Sequence, residues 1–421
     1  MTAERTSTQV AAASSVDDQI ARVGACEIAL AFLTYNNADT LPAVVAAATR
    51  GLAERFPGTP VAIIGTDSGS SDGSLDVIAN AGVPSVLTTH EAPLGERVAV
   101  PFHGVPGRGA ALRSAFGTAH RLGARAVVVV EADVVSLTPD WMDRLTTPIL
   151  EDKADFVVPA YARHRFDGTI TNLLIGPLVR ALYGRRLHQP LGGQQALSGR
   201  LVEHLLLHPK WDWGGRDLAD VWILGTAIAD GFAVWEAWLG RRAIRSLTRT
   251  NELPAMISQT LGGVLSVMDR HDDLWREVRN SEPLPSVGEA LLPDTEPREV
   301  DVARMVSAFR LGLRDLTPVW EHVLAPETLG DVLSLETEDL RSFRFPDELW
   351  ARVVYDFALG HHYTVIHREH LLRSLVPLYL GRTAAYVLAT RDRTAAASEA
   401  AAEAVARAFE REKPYLVERW T

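Results

Sequence analysis

Two carboxylates follow a short apolar segment and could bind one metal ion. Residues 126–130 are Ala-Val-Val-Val-Val, and Glu131, Ala132 and Asp133 come directly after them. The β-branched run predicts a buried central strand, and residues two apart on a strand share one side. Hard divalent cations such as Mg²⁺ or Mn²⁺ take carboxylate oxygens and keep positions for phosphate and water. The spacing therefore predicts a metal site at Glu131 and Asp133, with a solvated strand end as the alternative interpretation.

A glycine-arginine-glycine sequence lies upstream of that strand. Gly107 and Gly109 would let the backbone approach a phosphate closely, and a helix that begins there directs its N–H groups outward. Arg108, between the two glycines, can contact a phosphate through two N–H groups. The motif predicts a phosphate-binding loop, with a purely structural turn as the alternative.

Two further polar segments are candidates for a small-molecule site. Residues 189–194 contain the paired glycines Gly192 and Gly193, which indicate a tight loop whose amides could face a small anion. An ordinary loop is the alternative. Asp220 follows the segment 211–215 and would open a buried helix. Its carboxylate either caps that helix or faces a pocket.

Alternating strands and helices would position these residues. The predicted strands are 28–33, 61–65, 126–130, 156–159 and 232–235, and the first predicted helices are 41–52 and 74–80. Such alternation favours an α/β fold with a mostly parallel sheet and helices on both faces. Ligands of such folds bind outside the carboxyl ends of the strands. The polar turns 34–37 and 67–73 lie at two of these ends.

The second half of the chain lacks the strand pattern. Prolines between 281 and 299 predict a loop. Helical patterns follow at 302–313, 346–361, 368–376, 384–390 and 394–411. We therefore expect a flexible tail at 1–26, an α/β domain at 27–265 and a helical region at 266–421.

Composition places the chain among ordinary globular proteins. Its 421 residues are 47% hydrophobic and 23% charged, and 42 basic against 53 acidic residues give a net charge of −11. A net negative charge disfavours nonspecific binding to nucleic acid or to an anionic membrane. The lone cysteine, Cys26, excludes an intramolecular disulfide and a multi-cysteine metal site. A lone cysteine fits a reducing compartment, so we expect a cytoplasmic protein. No apolar stretch reaches about 18 residues, so we expect no membrane-spanning helix.

Several segments together resemble one family of enzymes. The matching segments are 34–40, 67–73, 104–109, 137–141, 167–172, 180–184, 189–193 and 375–382. They resemble the retaining glycosyltransferases that make mannosylglycerate, glucosylglycerate and glucosyl-3-phosphoglycerate, and are most similar to the glucosylglycerate synthase-like branch. The resemblance implies a GT-A fold, a Rossmann-like nucleotide-binding domain joined to a helical region. It also implies transfer of a hexose from a UDP- or GDP-sugar to a small acceptor such as D-glycerate, with retention, and it suggests a homodimer.

The resemblance also assigns roles to residues of the predicted loops. Thr34, Tyr35, Asn36 and Asp67 would hold the base and ribose, Arg108 and Gly109 the nucleotide or its phosphates, and Glu131 and Asp133 the divalent cation and diphosphate. Gln189, Gly192 and Gly193 would border the donor sugar and the acceptor, and Asp220 would face the reacting sugar. The predicted catalytic positions among them are Gln189, Gly193 and Asp220.

Three positions around the expected cation depart from the family's pattern. Glu131 stands where an aspartate is usual, Ile244 falls where a histidine ligand is expected, and Gln194 replaces an acidic residue. Glutamate can still bind a cation, although its extra methylene moves the carboxylate. Isoleucine cannot bind one.

Two alternatives to the family's activity follow from these departures. One is a glycosyltransferase with a different acceptor and weakened or absent metal dependence, in which Arg241, Arg242 or Arg245 supplies positive charge. For each of these arginines, a solvated basic segment is the alternative interpretation. The other is a protein that binds a nucleotide sugar without catalysing its transfer.

Overall fold

The computed structural model describes residues 15–91, 95–96, 101–209, 211, 219–245, 252–337 and 339–421. Most of the predicted tail and the segment 212–215 therefore lie outside the described residues. The strands are β1 (Ile28–Thr34), β2 (Val61–Asp67), β3 (Ser85–Thr89), β4 (Ala126–Glu131), β5 (Phe156–Ala162), β6 (Arg185–Arg186), β7 (Gln195–Ser198), β8 (Val234–Arg241), β9 (Glu282–Pro283) and β10 (Ser286–Val287).

The helices cover most of the remaining described chain. They are α1 (Val16–Val23), α2 (Leu41–Arg55), α3 (Ser74–Ala79), α4 (Arg108–Arg121), α5 (Pro139–Leu150), α6 (Gly176–Tyr183), α7 (Gly199–Leu207), α8 (Ala219–Ala229), α9 (Leu253–Met268), α10 (Asp272–Trp275), α11 (Val302–Trp320), α12 (Pro326–Ser334), α13 (Asp347–His362), α14 (Arg368–Ser374), α15 (Val376–Thr390) and α16 (Ala395–Arg419). A π-helical turn spans Thr171–Ile175 and a 3₁₀ turn spans Leu335–Thr337. Within the described part of the chain, no helix has both the length and the apolar character needed to cross a membrane.

Helix α1 corrects the prediction of a flexible tail over residues 16–23. Its first turn is capped by Ser15, whose hydroxyl accepts a hydrogen bond from the Asp18 N–H. The buried Gln19 side chain pairs with the backbone of Leu87 in β3, donating to its carbonyl at 3.2 Å and accepting from its N–H at 2.7 Å. The polar composition of this segment hid a helix that one buried amide anchors to the sheet.

The chain forms two compact units that interleave along the sequence. Unit 1 comprises Met1–Tyr161, Leu191–Asn251 and Leu284–Ala290, and unit 2 comprises Ala162–Pro190, Glu252–Pro283 and Leu291–Thr421. This division differs from the single boundary near residue 265 predicted from the sequence. One linear cut cannot describe a chain in which 162–190 joins the second unit and the later segment 284–290 returns a strand to the first.

Unit 1 is built on an eight-stranded sheet in the order β10-β8-β5-β7-β4-β1-β2-β3. Neighbours β1, β2, β3 and β4 pair in parallel, whereas β7 runs antiparallel to both β4 and β5. The predicted α/β class with a mostly parallel sheet is confirmed. The strand predicted at 232–235 begins later, at Val234, and β3, β7 and β10 were not predicted.

Apolar residues cover both faces of the central strands. Alternate residues of β4, such as Val128 and Val130, belong to a core that includes α2 and α5. The intervening residues Val127 and Val129 are also fully buried, and α4 packs against β1 and β2. Glu131 shares the side of Val127 and Val129 because side chains alternate along a strand. The sheet geometry therefore directs Glu131 to the face opposite α2 and α5.

Unit 2 contains the helices from α9 onward together with α6. Arg180 of α6 is buried and pairs with Glu403 and Glu410 of α16. The Lys413 ammonium, also in α16, donates to the carbonyls of Ala181 and Val278 at 2.7 and 2.6 Å. The predicted helical C-terminal region is confirmed. The segment predicted as a loop at 281–299 also holds the short strands β9 and β10.

Candidate functional site

The candidate site lies at one edge of the sheet of unit 1. The parallel strands β1, β2 and β4 end there, at Thr34, Asp67 and Glu131. Strand β7 begins there, since its first residue, Gln195, pairs with Val129 near the end of β4. An antiparallel strand between parallel ones thus brings the glycine loop that precedes it to the edge where ligands of α/β folds bind.

Asp67 organises the loop that follows β2. Its Oδ1 accepts hydrogen bonds from the hydroxyls of Thr34 and Ser70, at 2.8 and 2.5 Å. Its Oδ2 accepts from the N–H groups of Gly69 and Ser70, both at 2.8 Å. These bonds use the acceptor capacity of a carboxylate, which offers about four lone-pair sites. The buried Asp67 side chain therefore holds the loop in shape.

The loops after β1 and β2 are joined by further side-chain hydrogen bonds. The N–H of Asn36 donates to the Ser70 hydroxyl at 2.8 Å, and Asn36 Oδ1 accepts from the N–H of Ser71 at 3.0 Å. Asn36 has a φ of +54°, a left-handed conformation that asparagine tolerates better than most residues. The Tyr35 N–H donates to Asn37 Oδ1 at 2.9 Å. Predicted base and ribose residues thus form one ordered two-loop surface.

Asp72 closes the far end of this two-loop surface. Its carboxylate accepts from the Ala38 N–H at 2.8 Å and from the N–H and hydroxyl of Ser74 at 3.0 and 2.6 Å. Burial acts to raise the pKa of Asp72, but the hydrogen bonds from Ser74 and Ala38 bring it below its ordinary value. The ionised carboxylate is the form that stabilises the paired loops.

A hydrogen bond from Thr40 ties this surface to the end of β4. The Thr40 hydroxyl, at the start of α2, donates to the carbonyl of Ala132 at 2.8 Å. Ala132 lies between the predicted metal ligands Glu131 and Asp133, which are both buried. The two predicted subsites, for the nucleoside and for the diphosphate, are therefore linked through Thr40.

Arg108 is the first residue of α4 and forms a buried ion pair with Asp220 of α8. Nε lies 2.8 Å from Oδ2 and Nη2 lies 2.9 Å from Oδ1, a bidentate arrangement. Gly107 precedes it with a φ of +64°, in the left-handed region that glycine favours. Nη2 of Arg108 also lies 3.5 Å from the carbonyl oxygen of Gly193.

Gly193 is packed directly against the Glu131 side chain. A Cβ added to Gly193 would lie 1.9 Å from Cδ and 2.0 Å from Oε1 of Glu131. Any side chain would have to displace the carboxylate. Glycine is needed at this position for close packing against Glu131.

Two side-chain donors reach Oε2 of the Glu131 carboxylate. Its Oε2 accepts a hydrogen bond from Gln194 Nε2 at 2.8 Å and a charge-assisted one from Nη2 of Arg242. The hydroxyl of Tyr161 donates to Gln194 Oε1, and the Arg242 guanidinium lies 5.4 Å from the centre of the Tyr161 ring. These side chains form a polar cluster, Tyr161–Gln194–Glu131–Arg242, which we call the Glu131 cluster.

Strand directions explain why the Glu131 cluster forms. The starts of β5 and β8 meet, because the N–H of Phe156 donates to the carbonyl of Ala233. Their ends meet at Tyr161 and Arg242. The loop after β8 is then fastened over β4, since the Ala243 N–H donates to the Ser136 hydroxyl at 2.9 Å.

The arrangement around Glu131 does not fit a three-ligand metal centre. The Arg242 and Gln194 donors both occupy Oε2 of Glu131. Ile244 carries no ligand atom, and its side chain is 37% exposed. The backbone beside it is tied to the strand end, because the Arg245 N–H donates to the carbonyl of Asp133 at 3.0 Å. Among the described residues, no group of three or more His, Cys, Asp or Glu side chains is placed to hold a metal ion.

The structure brings together predicted residues from four separate stretches of the sequence. Arg108, Glu131, Gly193 and Asp220 form one continuous set of contacts in unit 1. Gly109 lies beside Arg108 in the first turn of α4, and Gly192 is buried beside Gly193. Gln189 is buried too, but it belongs to unit 2.

Sequence reasoning missed the members of the Glu131 cluster as partners of one another. In the sequence, Gln194 was a departure from the family's pattern and Arg242 a possible source of positive charge. Nothing in their spacing indicated that either contacts Glu131. Tyr161 lies beyond the predicted strand 156–159, in a β5 that extends to Ala162. One sequence feature did point to this cluster: residues 131, 194 and the segment 241–245 all depart from the family's pattern together.

Comparison with known proteins gives structural neighbours only. No protein-family model and no curated protein matches the chain. The chain is similar in structure to glucosyl-3-phosphoglycerate synthase from Mycobacterium tuberculosis. One structure of that protein, in complex with Mn²⁺, UDP-glucose and phosphoglyceric acid, aligns at 21% identity over 66% of this chain and 88% of that chain, with a TM-score of 0.44.

Other solved structures align with similar identity and similar TM-scores. The complex of that synthase with Mn²⁺, UDP-glucose and glycerol 3-phosphate aligns at 21% identity over 66% of this chain and 88% of that one, with a TM-score of 0.43. A mycobacterial protein aligns at 23% identity over 61% of this chain and 78% of that one, also with a TM-score of 0.43.

Proposed function

We propose that this chain is a glycosyltransferase that moves a hexose from a UDP- or GDP-sugar to a small hydroxy acid of the glycerate type. The observation that carries the proposal is the convergence of Arg108, Glu131, Gly193 and Asp220 at the carboxyl edge of the sheet. The motif resemblance assigned these residues to one donor site. Retention of configuration and a homodimer rest on the resemblance alone.

The two-loop surface after β1 and β2 would hold the nucleoside. Its backbone is fixed by Asp67, Ser70 and Asn36, so a base and ribose would meet preformed polar groups. Preorganised groups bind with less loss of conformational entropy. In this arrangement Asp67 acts through the loop, since Thr34, Ser70 and Gly69 already fill its acceptor positions.

Arg108 would contact the diphosphate from the start of α4. A helix N-terminus and a guanidinium both favour an anion. Asp220 holds the guanidinium in one orientation through two hydrogen bonds. In the free protein Arg108 donates to both carboxylate oxygens of Asp220. A diphosphate would therefore bind beside this ion pair or share the Arg108 donors with Asp220.

The chemistry is a displacement at the anomeric carbon C1 of the donor sugar. The bond from C1 to the diphosphate oxygen breaks, and its electron pair leaves with the diphosphate. The acceptor hydroxyl oxygen bonds to C1, and its proton passes to the departing phosphate. The resemblance implies that both events occur on one face of the sugar. The protein then contributes charge stabilisation of the diphosphate and positioning of the acceptor.

A mass-spectrometric screen tests the proposal. UDP-glucose, UDP-galactose, GDP-glucose and GDP-mannose are each incubated with D-glycerate, 3-phosphoglycerate and lactate, with and without Mg²⁺ or Mn²⁺. We expect a glycoside of one acceptor and release of the matching nucleoside diphosphate. Arg108→Ala should abolish the product, whereas Arg121→Ala, at the exposed far end of the same helix, should retain it. Absence of product with every pair would contradict the proposal.

One observation favours a second candidate, a noncatalytic nucleotide-sugar-binding protein. The Glu131 carboxylate, a predicted cation ligand, is engaged by Arg242 and Gln194. A site that lost its cation could keep the nucleoside surface. Calorimetry separates the two candidates, because this one requires donor binding with neither transfer nor hydrolysis of the donor.

A further inference from the structure

Resting on the proposed function, we infer that the guanidinium of Arg242 takes the place of the divalent cation at the diphosphate subsite. Donor binding would then need no metal ion. In this inference Arg242 supplies the charge at the donor site, and Glu131 and Tyr161 hold it in position.

The first observation is the position of the charge. Arg242 donates to Oε2 of Glu131, which is the carboxylate that the sequence pattern offers to a cation. The side chains of Arg242 and Glu131 are 14% and 5% exposed. Arginine stays protonated at any physiological pH. A permanent positive charge therefore lies where the pattern predicts the metal.

The second observation is the nature of the residue at 194. Two carboxylates that face each other need a cation between them, because like charges at short distance repel. Gln194 instead presents an amide N–H to Glu131, at 2.8 Å between Nε2 and Oε2. Its oxygen is taken by the Tyr161 hydroxyl, which fixes which end of the amide faces Glu131. At position 194 an amide donor therefore faces Oε2 of Glu131, where a second carboxylate would need a metal ion between the two.

The third observation is the set of contacts that support the Arg242 side chain and residues 243–245. The guanidinium is held by Glu131 on one side and lies over the Tyr161 ring on another. On either side of Ile244, the loop is fastened to the strand end through Ala243 and Arg245. A cation held in this way needs little reorganisation when an anion arrives.

The fourth observation is spare donor capacity. A guanidinium has five N–H donors, and Nη2 of Arg242 serves Glu131. Within the described part of the chain, Nε of Arg242 is buried and has no hydrogen-bond partner. An oxygen of a bound diphosphate would satisfy a donor that folding leaves unpaired.

The charge balance sets the design of the test. Arg242 brings one positive charge, where a divalent cation brings two. Arg242→Gln removes that charge and also leaves the buried Glu131 carboxylate without its cationic partner. The double variant Glu131→Gln/Arg242→Gln removes both charges together, so it isolates the guanidinium from the effect of an uncompensated carboxylate.

The experiment is calorimetric titration of UDP and of GDP into the full chain, in excess EDTA and again with Mg²⁺ or Mn²⁺. We expect one nucleotide to bind in EDTA, with a dissociation constant that the metals change by less than about threefold. Arg242→Gln and the double variant should each weaken binding by about tenfold or more. Arg121→Gln is the control, because it removes the same charge from an exposed arginine at the far end of α4, and it should change binding by less than about threefold.

The outcomes distinguish the inference from the proposed function. Binding that requires a metal would overturn the inference and leave the nucleotide-sugar function standing. Binding in EDTA that survives both Arg242 variants would also overturn it. No binding of either nucleotide under any condition would overturn the donor class and the inference together. Thermal melting of each variant shows which losses of binding come from unfolding.

Discussion

Arg108, the first residue of α4, and Asp220, in the first turn of α8, form a bidentate ion pair with both side chains less than a tenth exposed. In sequence, 111 residues separate the two positions, since they are numbers 108 and 220. Burial makes the pair sensitive to the loss of either member, because a lone buried charge has no compensation. The pair therefore orders the helix start that we assign to the diphosphate.

A double-mutant cycle tests this coupling. Arg108→Ala and Asp220→Ala should each lower the free energy of unfolding by about 3 kcal/mol, and the double variant should lose clearly less than the sum. Urea titration measures all four proteins. The control cycle uses Arg55 and Asp140, an exposed pair on the same unit, which should show almost no coupling. Equal coupling in the two cycles would contradict the role of burial.

Gly193 should tolerate no side chain. Gly193→Ala places a methyl group 1.9 Å from Cδ of Glu131, so we expect a loss of about 3 kcal/mol and disruption of the Glu131 cluster. Gly117→Ala is the matched control, because no atom lies within 4 Å of its added Cβ. In a helix that change should stabilise by about 0.5–1 kcal/mol. Thermal melting of both variants is the measurement, and similar melting temperatures would refute the packing argument.

Asp67 should act through loop order. Asp67→Asn replaces one acceptor oxygen by an NH₂ group that faces other donors, such as the N–H groups of Gly69 and Ser70. We expect destabilisation of about 3 kcal/mol and weaker nucleotide binding. Asp39→Asn, at an exposed position nearby, should change neither quantity. Hydrogen exchange of residues 67–73 reports the loop directly, and unchanged exchange in Asp67→Asn would show that the loop does not depend on this carboxylate.

Acid should destabilise unit 2 through His361. Burial, aided by the nearby Arg368, lowers the pKa of His361 from 6.5 to about 4. Between these values the unfolded chain binds a proton that the folded chain does not, so stability falls as the pH drops from 6.5 towards 4. A shift of this size corresponds to about 3 kcal/mol.

Substitution checks the source of this acid sensitivity. His361→Gln should remove most of the loss in unfolding free energy between about pH 7 and about pH 4.5, measured by urea titration. His370→Gln, at an exposed position, should keep the loss seen in the unmodified chain. If His361→Gln retains the full acid sensitivity, other groups carry it.

The sequence predicted best where one pattern was strong and local. The apolar run of β4 specified a buried strand and the carboxylates that follow it. The helical patterns predicted from Val302 onward fall on helices, although α12 was not predicted. Strand β7 escaped prediction because its four residues, Gln195–Ser198, are too short to show alternation. Its antiparallel insertion then decided which loop reaches the end of β4.

The sequence predicted which residues lie at the site better than it predicted the hydrogen bonds between them. Motif resemblance selected Arg108, Gly193 and Asp220, which do meet. Hydrogen bonding between distant side chains leaves no spacing signal, so the link from Arg242 to Glu131 needed coordinates. The role of Asp67 changed for the same reason, because its partners fill the acceptor positions assigned to a ligand.

A crystal structure of the chain with UDP-glucose or GDP-mannose tests the central claim most directly. We predict the base and ribose on the loops after β1 and β2, and the diphosphate within hydrogen-bonding distance of Arg108 or Arg242. The sugar should lie towards Gly193 and Asp220. A nucleotide bound away from the ends of β1, β2 and β4, under conditions where calorimetry shows saturation, would contradict the account.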